Sequence, residues 1–533
     1  MAFDLEQAAA ATQRALDLAR QFGLDELAAQ AQLVGVAVDR RRNDPQAASQ
    51  RLAHLLAGPL TPAQRVRTLL QQGNLLRDTG QFDQAEAVIG QAITLATELG
   101  NDAQQLLAQV ELHTVKSLRS HSDQALAELE ALEPRITALD DPGLLARYFN
   151  TLGVQATANR EIDKADAYLR RAAAQARKAG QIDNEAGVYN NLGNVLARND
   201  RPEDAVRAWE QALRVFNEVD NALGAAITLS NLGGAAVTKG NLALAREQFQ
   251  QALDRFTELD SGQHIARTRF DLGQVAERQG RLEEAAGLYG QALAAQREVA
   301  IDRALHAAGA LARVQLAMAR AGQAQATLDG IADALTASTD AGAQARVHAA
   351  AGHIALATGQ PAAARTAFDQ AHALHQQDGT GTALTAWSGL DLLLADLAQA
   401  HPAGQVRARG ESLYRQFVLD GDAHGQLRAL ALQARALLAA GRPQRALPLL
   451  EKAEALLAGW PDAGLAYELG RLHILAEAPL EAPGRIRRHE LADQAEADGC
   501  LLLALRARLD ADPADAGGLT QAAGLGLGGI ANP

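Results

Sequence analysis

The feature that most constrains this chain is a register that returns every forty residues. Asn191-Leu192-Gly193-Asn194, Asn231-Leu232-Gly233-Gly234 and Asp271-Leu272-Gly273-Gln274 stand one period apart; Thr151-Leu152-Gly153 falls one period earlier and Gly73 two periods before that. Twelve positions after each of five such glycines stands an alanine (Ala85, Ala165, Ala205, Ala245, Ala285). Large apolar residues follow at Ile89, Leu169, Trp209, Phe249 and Tyr289, then Ala92, Ala172, Ala212, Ala252 and Ala292. Small and large positions kept in step over this distance mark an architecture that grows by stacking one supersecondary unit. The 533 residues exceed what a single core normally organises, and repetition is the alternative.

Each period holds two helix-length patterns. In the clearest unit Tyr189, Leu192, Gly193 and Leu196 form one stripe, and Ala205, Val206, Trp209, Ala212 and Leu213 form the next, at 3.6-residue spacing. Between them Asp200 is suited to cap the second helix, Pro202 to sit in its first turn and Glu203 to complete a capping-box spacing. Gly80, Gly240 and Gly280 occupy the same turn elsewhere, as a left-handed turn residue requires. Gly193 and Ala205 are expected to face each other where the two helices pass closest, with Trp209 filling space toward neighbouring helices. Aromatics are only 4% of a chain rich in Ala and Leu, a composition that favours helix against helix over sheet.

On these positions the chain resembles the tetratricopeptide-repeat family, in the forty-residue spacing of kinesin light chain and Pins/LGN scaffold repeats. The resemblance is strongest from Pro62 to Ala292 and is degraded around His113, which stands where the small glycine belongs. It slips by one or two residues between Ala312 and Ala326, then returns at Gly352, Ala364 and Phe368 and again at Gly441, Ala446 and Leu450. Units centred near Val36, Gly73, His113, Gly153, Gly193, Gly233, Gly273, Arg313, Gly352, Gly389, Ala434 and Gly470 number about twelve. The resemblance implies an all-α, right-handed α-solenoid, a superhelix of stacked antiparallel helix pairs. Its expected organisation is N-terminal helices and a first degenerate repeat over 1–60, the regular array over 61–300, slipped repeats over 301–377, irregular repeats with a capping helix over 378–509, and a flexible Gly/Pro-rich tail over 510–533. Trp387 is expected in the core, and the helix from Cys500 to Leu509 over the C-terminal end of the stack.

Chemistry is sparse by comparison. No phosphate-binding loop, zinc-binding histidine pair, calcium loop or serine nucleophile elbow is present. The glycines from Gly524 to Gly529 match a dinucleotide-loop spacing but lack the preceding strand and following helix that would give it meaning. Cys500 is alone, which excludes an intrachain disulfide, and its Leu-rich neighbourhood suits a buried thiol. The net charge of −13 speaks against nucleic acid as a partner, and the basic runs at Asp39-Arg40-Arg41-Arg42 and Arg485-Ile486-Arg487-Arg488-His489 read as solvated helix faces. No apolar stretch reaches the roughly 20 residues of a membrane span, and Met1 to Ala10 holds acidic residues rather than a basic segment followed by an apolar run; a cytoplasmic location is the expectation. No cofactor, metal or catalytic set is expected, and the chain reads as a non-enzyme.

The resemblance also assigns a binding face, because in this family the first helix of each pair lines a concave groove. Carried over position by position, the peptide-binding residues are Arg67, Asn74 and Arg77 around Gly73, and Arg147 and Asn150 around Gly153. Asn190, Asn194 and Arg198 follow around Gly193, then Ser230 and Thr238, and finally Arg267, Phe270, Gln274 and Arg278 around Gly273. Carboxamides donate to and accept from a peptide backbone, guanidinium groups fork onto carboxylates, and Phe270 would supply an apolar anchor. Relatives that clamp a terminal carboxylate pair lysine with asparagine; arginine stands here instead, which points to an extended or acidic internal segment. Two functions follow from this face: a scaffold or adaptor holding partner proteins, or a sensor answering a peptide or small ligand and acting on a separate effector. Self-association through a terminal pair stays open.

Overall fold

The computed structural model describes residues 5–41, 44–119, 123–199, 201–297, 299–377, 382–477, 482–497, 500–511, 520–522, 525 and 527. Among them the secondary structure is helical throughout, with no strand. Helices α1 (Leu5–Gln21), α2 (Asp25–Arg41), α3 (Pro45–Ala57), α4 (Pro62–Asp78), α5 (Phe82–Glu98), α6 (Asp102–Arg119), α7 (Asp123–Glu130), α8 (Glu133–Ala138), α9 (Pro142–Ala158), α10 (Ile162–Lys178), α11 (Ile182–Arg198), α12 (Pro202–Glu218), α13 (Ala222–Thr238) and α14 (Leu242–Glu258) make up the first half. The second half comprises α15 (Gly262–Arg278), α16 (Leu282–Gln296), α17 (Ile301–Ala317), α18 (Ala321–Asp329), α19 (Ala332–Ala337), α20 (Ala341–Ala357), α21 (Pro361–Gln377), α22 (Thr382–Ala398), α23 (Ala403–Leu419), α24 (Ala423–Ala439), α25 (Pro443–Gly459), α26 (Ala463–Glu477), α27 (Ala482–Ala497) and α28 (Leu501–Ala511). The fold is all-α, built from consecutive antiparallel helix pairs of the tetratricopeptide type. From α2 to α27 the helices follow in the order of twelve such pairs, and every unit centre read from the sequence lies in a first helix.

The chain divides into two compact units: Met1–Ala235 with Gln251–Ser261, and Ala236–Gln250 with Gly262–Pro533. In the first, α9 to α12 share a cluster in which Leu152, Leu169, Ala165, Ala172 and Ala205 are fully buried. The repeated glycine has a further reason beyond the one its spacing suggests. A Cβ built on Gly193 would fall inside the indole of Trp209, and one on Gly153 would meet Leu169 Cγ at 2.5 Å, with the Ala165 carbonyl at 3.4 Å. The glycine therefore makes room for the large residue of its own pair while lying against the backbone of the facing alanine. Gly273 is filled the same way by Tyr289 and Gly352 by Phe368. Filling a notch this tight with a large ring gives close-packed interiors no slack.

The turns follow the pattern where helices end. Gly80, Gly180, Gly240, Gly280, Gly359 and Gly441 all take positive φ, the left-handed conformation that glycine adopts without steric cost. Asp200 lies outside the described residues; Arg201 stands at the N-cap of α12 and its side chain makes no capping hydrogen bond, leaving Pro202 and the acidic Glu203 and Asp204 to favour the helix start. The two units flagged as irregular, around His113 and Arg313, share one departure. Their second helices are broken, into α7 with α8 and into α18 with α19.

In the second unit the C-terminal helix packs on α27, the last helix of the twelve pairs, and reaches earlier repeats as well. Leu502, Leu505 and Leu509 join the cluster of Leu305, Ala308 and Leu316, while Cys500, Ala504 and Ala507 join that of Tyr289, Ala310 and Val314. A helix apolar on both sides has to be covered on both sides, and α28 meets this by packing on α17, α26 and α27. Ala522 and Leu527, from the segment read as a free tail, are also buried in the cluster with α17 and α20.

Candidate peptide-binding face

In the first unit an ion triad ties three successive first helices together. Arg77 Nη1 of α4 reaches Glu111 Oε2 of α6 at 3.1 Å, and Arg147 Nη1 of α9 reaches Glu111 Oε1 at 2.6 Å. The Glu111 side chain is 7% exposed and that of Arg147 45%, so the carboxylate is committed while the outer guanidinium still fronts solvent. Beside it the Thr114 and Thr151 hydroxyls share a hydrogen bond of 3.0 Å.

One repeat further, a carboxamide ladder begins. Asn191 Nδ2 donates to Asn150 Oδ1 at 3.0 Å, and Asn231 Nδ2 and Thr228 Oγ1 donate to Asn190 Oδ1 at 3.0 and 3.2 Å. Trp209 Nε1 donates to Asn194 Oδ1 and to the Asn190 carbonyl, each at 3.2 Å. The ladder thus uses the oxygens of Asn150, Asn190 and Asn194, and what these side chains retain is N–H donors. Arg198 and Arg67 are exposed and make no ion pair among the described residues. Ser230 turns its hydroxyl onto the Ala226 carbonyl at 3.1 Å, and Asn74 is buried within its own pair. Asn191, Thr228 and Glu111, absent from the expected set, hold the face together; the Asn-Leu-Gly repeat itself was the signal for the first of them.

The candidates in the second unit have other occupations. Phe270 packs with its ring centroid 5.3 Å from that of Tyr289 and joins the cluster that contains Ala492, Cys500 and Ala504. Arg278 lies 3.6 Å over the ring of Trp460 and donates to the carbonyls of Val237 and Pro461 at 3.1 and 3.3 Å. Arg267 is exposed and Gln274 half-buried. Nearby, burial raises the Asp271 carboxyl to about 6, with Arg267 pulling the other way. Glu277 takes both Arg313 and the Tyr289 hydroxyl.

An aromatic stack runs through the same unit. Phe417, Trp387, His424 and Trp460 follow at centroid separations of 5.5, 4.9 and 4.9 Å, with Arg278 closing one end. Trp387 is partly buried and donates through Nε1 to Asp422 at 2.8 Å. Burial, then Arg428, Arg313 and Arg278, hold His424 well below its ordinary range, so it is neutral at pH 7. Trp387, His424 and Trp460 recur at close to one repeat, a signal the sequence contained.

The described residues contain no group of three or more His, Cys, Asp or Glu side chains placed to hold a metal ion, and no helix long and apolar enough to cross a membrane. Within the two basic runs, Asp39 pairs with Arg51, Arg40 with Asp78 and Arg487 with Glu477; Arg42 lies outside the described residues. Cys500 is buried.

Tetratricopeptide-repeat models match residues 66–98, 184–258 and 224–298. No curated protein matches the chain. Among solved structures, the apo form of RapI is 15% identical over 70% of this chain and 97% of its own, with a TM-score of 0.49. The apo form of the quorum sensor NprR from B. thuringiensis is 16% identical over 74% and 98%, with a TM-score of 0.43. A kinesin light chain of nearly identical repeats from Podosopora anserina is 18% identical over 37% and 98%, with a TM-score of 0.33.

Proposed function

Because this chain is a tetratricopeptide-repeat protein with a row of amide donors across successive first helices, we propose that it is a non-catalytic scaffold or adaptor that holds an extended peptide segment of a partner protein on the α9–α11–α13 face. The observation that carries this reading is the ladder. Asn150 and Asn190 spend their oxygens on Asn191, Asn231 and Thr228, so the face presents donors in a fixed row. Such a row suits backbone carbonyls and carboxylates, and Arg147 and Arg198 beside it favour an acidic segment. Because the donors are oriented before binding, the partner bears most of the ordering entropy. The net charge of −13 disfavours a nucleic acid as the partner.

Binding of the intact chain to an array of acidic extended peptides tests the reading. The N150A/N190A double substitution with Arg198→Glu is expected to remove binding while the circular dichroism of the helices is retained. Unchanged binding would remove the face from consideration. A regulatory role, in which a bound segment changes the state of the chain and thereby a separate effector, is favoured by one feature: the second unit closes on its own C-terminal helices.

A further inference from the structure

One helix stands outside the twelve pairs. The turn after α1 places Gly23 at positive φ, as Gly100, Gly180 and Asp220 are placed after the second helices α5, α10 and α12. Counted back from these turns, Ala8 and Ala15 take the places of Ala85 and Ala92, of Ala165 and Ala172, and of Ala205 and Ala212. By register α1 is therefore a second helix, and the element it packs against among the described residues is α2. In the complete pairs these alanines are fully buried, whereas Ala8 and Ala15 are half-buried and Ala11 is exposed. Thr12 stands where the complete pairs carry a large filler such as Trp209, and its hydroxyl turns back onto the Ala8 carbonyl at 2.7 Å. The outer side of α1 is thus shallow toward its start and bears Leu18 and Phe22, 55% and 66% exposed, toward its end.

Ala8, Ala11, Ala15, Leu18 and Phe22 alternate spacings of three and four, the seam of a two-helix coil. The outer face of a terminal repeat is ordinarily polar, but this one is apolar along its length, and the exposed Leu24 and Leu27 of the adjoining turn and helix widen it. The seam fits itself in size and in charge. An antiparallel copy crossing between Leu16 and Asp17 sets Phe22 against Ala11 of the second copy and Leu18 against its Ala15, a large residue on a small one in each layer. A parallel copy would set ring on ring and leave alanine facing alanine, which close packing disfavours. The antiparallel crossing also brings Arg14, which makes no ion pair among the described residues, beside Asp17 of the second copy, and the two-fold axis makes the contact twice. In its own chain Asp17 holds the Gln13 carboxamide at 2.9 Å.

We propose that α1 is an isologous dimer contact that takes α1 of a second copy of this chain, antiparallel, with Leu18 and Phe22 seated on the alanines and Arg14 beside Asp17. A single seam of this length buries about 1,000 Å² in total, the lower edge for specific association, so the dimer is expected to dissociate at roughly micromolar concentration. The charges fix register more than affinity. The inference goes beyond the peptide-binding reading and does not depend on it, because α1 carries none of the ladder.

Sedimentation equilibrium of the full chain over a concentration series tests the proposal. The wild type is expected to pass from monomer to dimer, and the L18E/F22E variant, altered only at exposed positions and checked by circular dichroism, to dissociate at least about ten-fold more readily. A wild type that stays monomeric at about 200 μM, well above the expected dissociation constant, or a dimer unchanged in L18E/F22E, would overturn it. The charge pair supplies a second reading that leaves the apolar seam intact. Arg14→Asp and Asp17→Arg should each weaken the homodimer about three-fold, and the two variants mixed should prefer the heterodimer, in which both ion pairs are restored with their signs reversed. Homodimers of both variants as tight as the wild type, with no preference on mixing, would overturn the antiparallel arrangement.

Discussion

In the α11–α12 pair of the first unit, Trp209 fills the notch at Gly193 and passes its indole N–H to Asn194. In the α20–α21 pair of the second, Phe368 fills the notch at Gly352 and has no polar tip to pass on; its neighbour His353 packs edge-on at 5.1 Å and pairs with Asp391 at 3.1 Å. The packing device is the same, but the first-helix faces it supports differ. In the first unit they are joined by carboxamides and one ion triad, polar links that keep donors turned outward. In the second they are joined by a ring stack and buried ion pairs and are covered in part by α28. One repeat thus supports two kinds of surface, because the notch sets how helices nest while the adjacent positions are left to chemistry.

Truncating the notch filler should have the largest effect. Trp209→Ala removes a large buried ring and a hydrogen bond and is expected to cost about 3–5 kcal/mol, read as a lowered denaturation midpoint with amide protection lost first in α9 to α12. Equal loss across the second unit would mean that the two units do not unfold separately.

Glu468→Ala comes next. Burial opposes ionisation of Glu468, but Arg435 and Arg471 outweigh it and bring the carboxyl down to about 2. Its folded value lies below the ordinary one, so its stabilisation is present above about pH 4.5 and is lost as the pH falls toward about 2. Removing it leaves the largely buried Arg435 guanidinium without its carboxylate while Arg471 keeps Asp510, at up to about 3 kcal/mol, and should erase that acid-side slope from the second unit's denaturation profile.

Asp271 behaves oppositely. Its folded value is raised by burial from 3.8 to about 6, so the stability of the neutral acid is complete at low pH and is lost as the pH rises through about 6. Asp271→Asn should stabilise the chain above about pH 6 by no more than about 3 kcal/mol, and leave it unchanged below about pH 4. A denaturation series across that interval reads the difference. The smallest effect belongs to Asn190→Ala, which strips the shared acceptor from Asn231 and Thr228: about 1 kcal/mol, seen as faster exchange in α11 and α13 and roughly five-fold weaker peptide binding.

The helix pairs were legible because their cause is local. A glycine, an alanine twelve residues on and a large residue four further state the spacing of two helices, and the order of twelve pairs follows. Which residue meets which was less legible: spacing brings Gly193 near both Ala205 and Trp209, and only the direction of the indole shows that the ring fills the notch. The polar ladder could be read in part, since Asn-Leu-Gly repeats on its face, but Glu111 sits in the degraded unit where no register points to it. The seam around Trp460 and the seating of α28 depend on how far the second unit curves, a sum of small rotations that no single residue states. The run Leu501-Leu502-Leu503-Ala504-Leu505 was legible as a helix that covers the end of the stack, but not its contacts with α17.

The account turns on the second unit covering its first-helix face with its own C-terminal helix while the first unit's ladder faces outward, and amide hydrogen exchange of the unmodified chain measures this directly. Leu502 to Leu509 should exchange as slowly as α17, on which they pack, and α28 should lose protection together with it as denaturant is raised. If α28 instead exchanges at the rate of a free peptide while α17 stays protected, the helix is not seated there and the contrast between the two units fails.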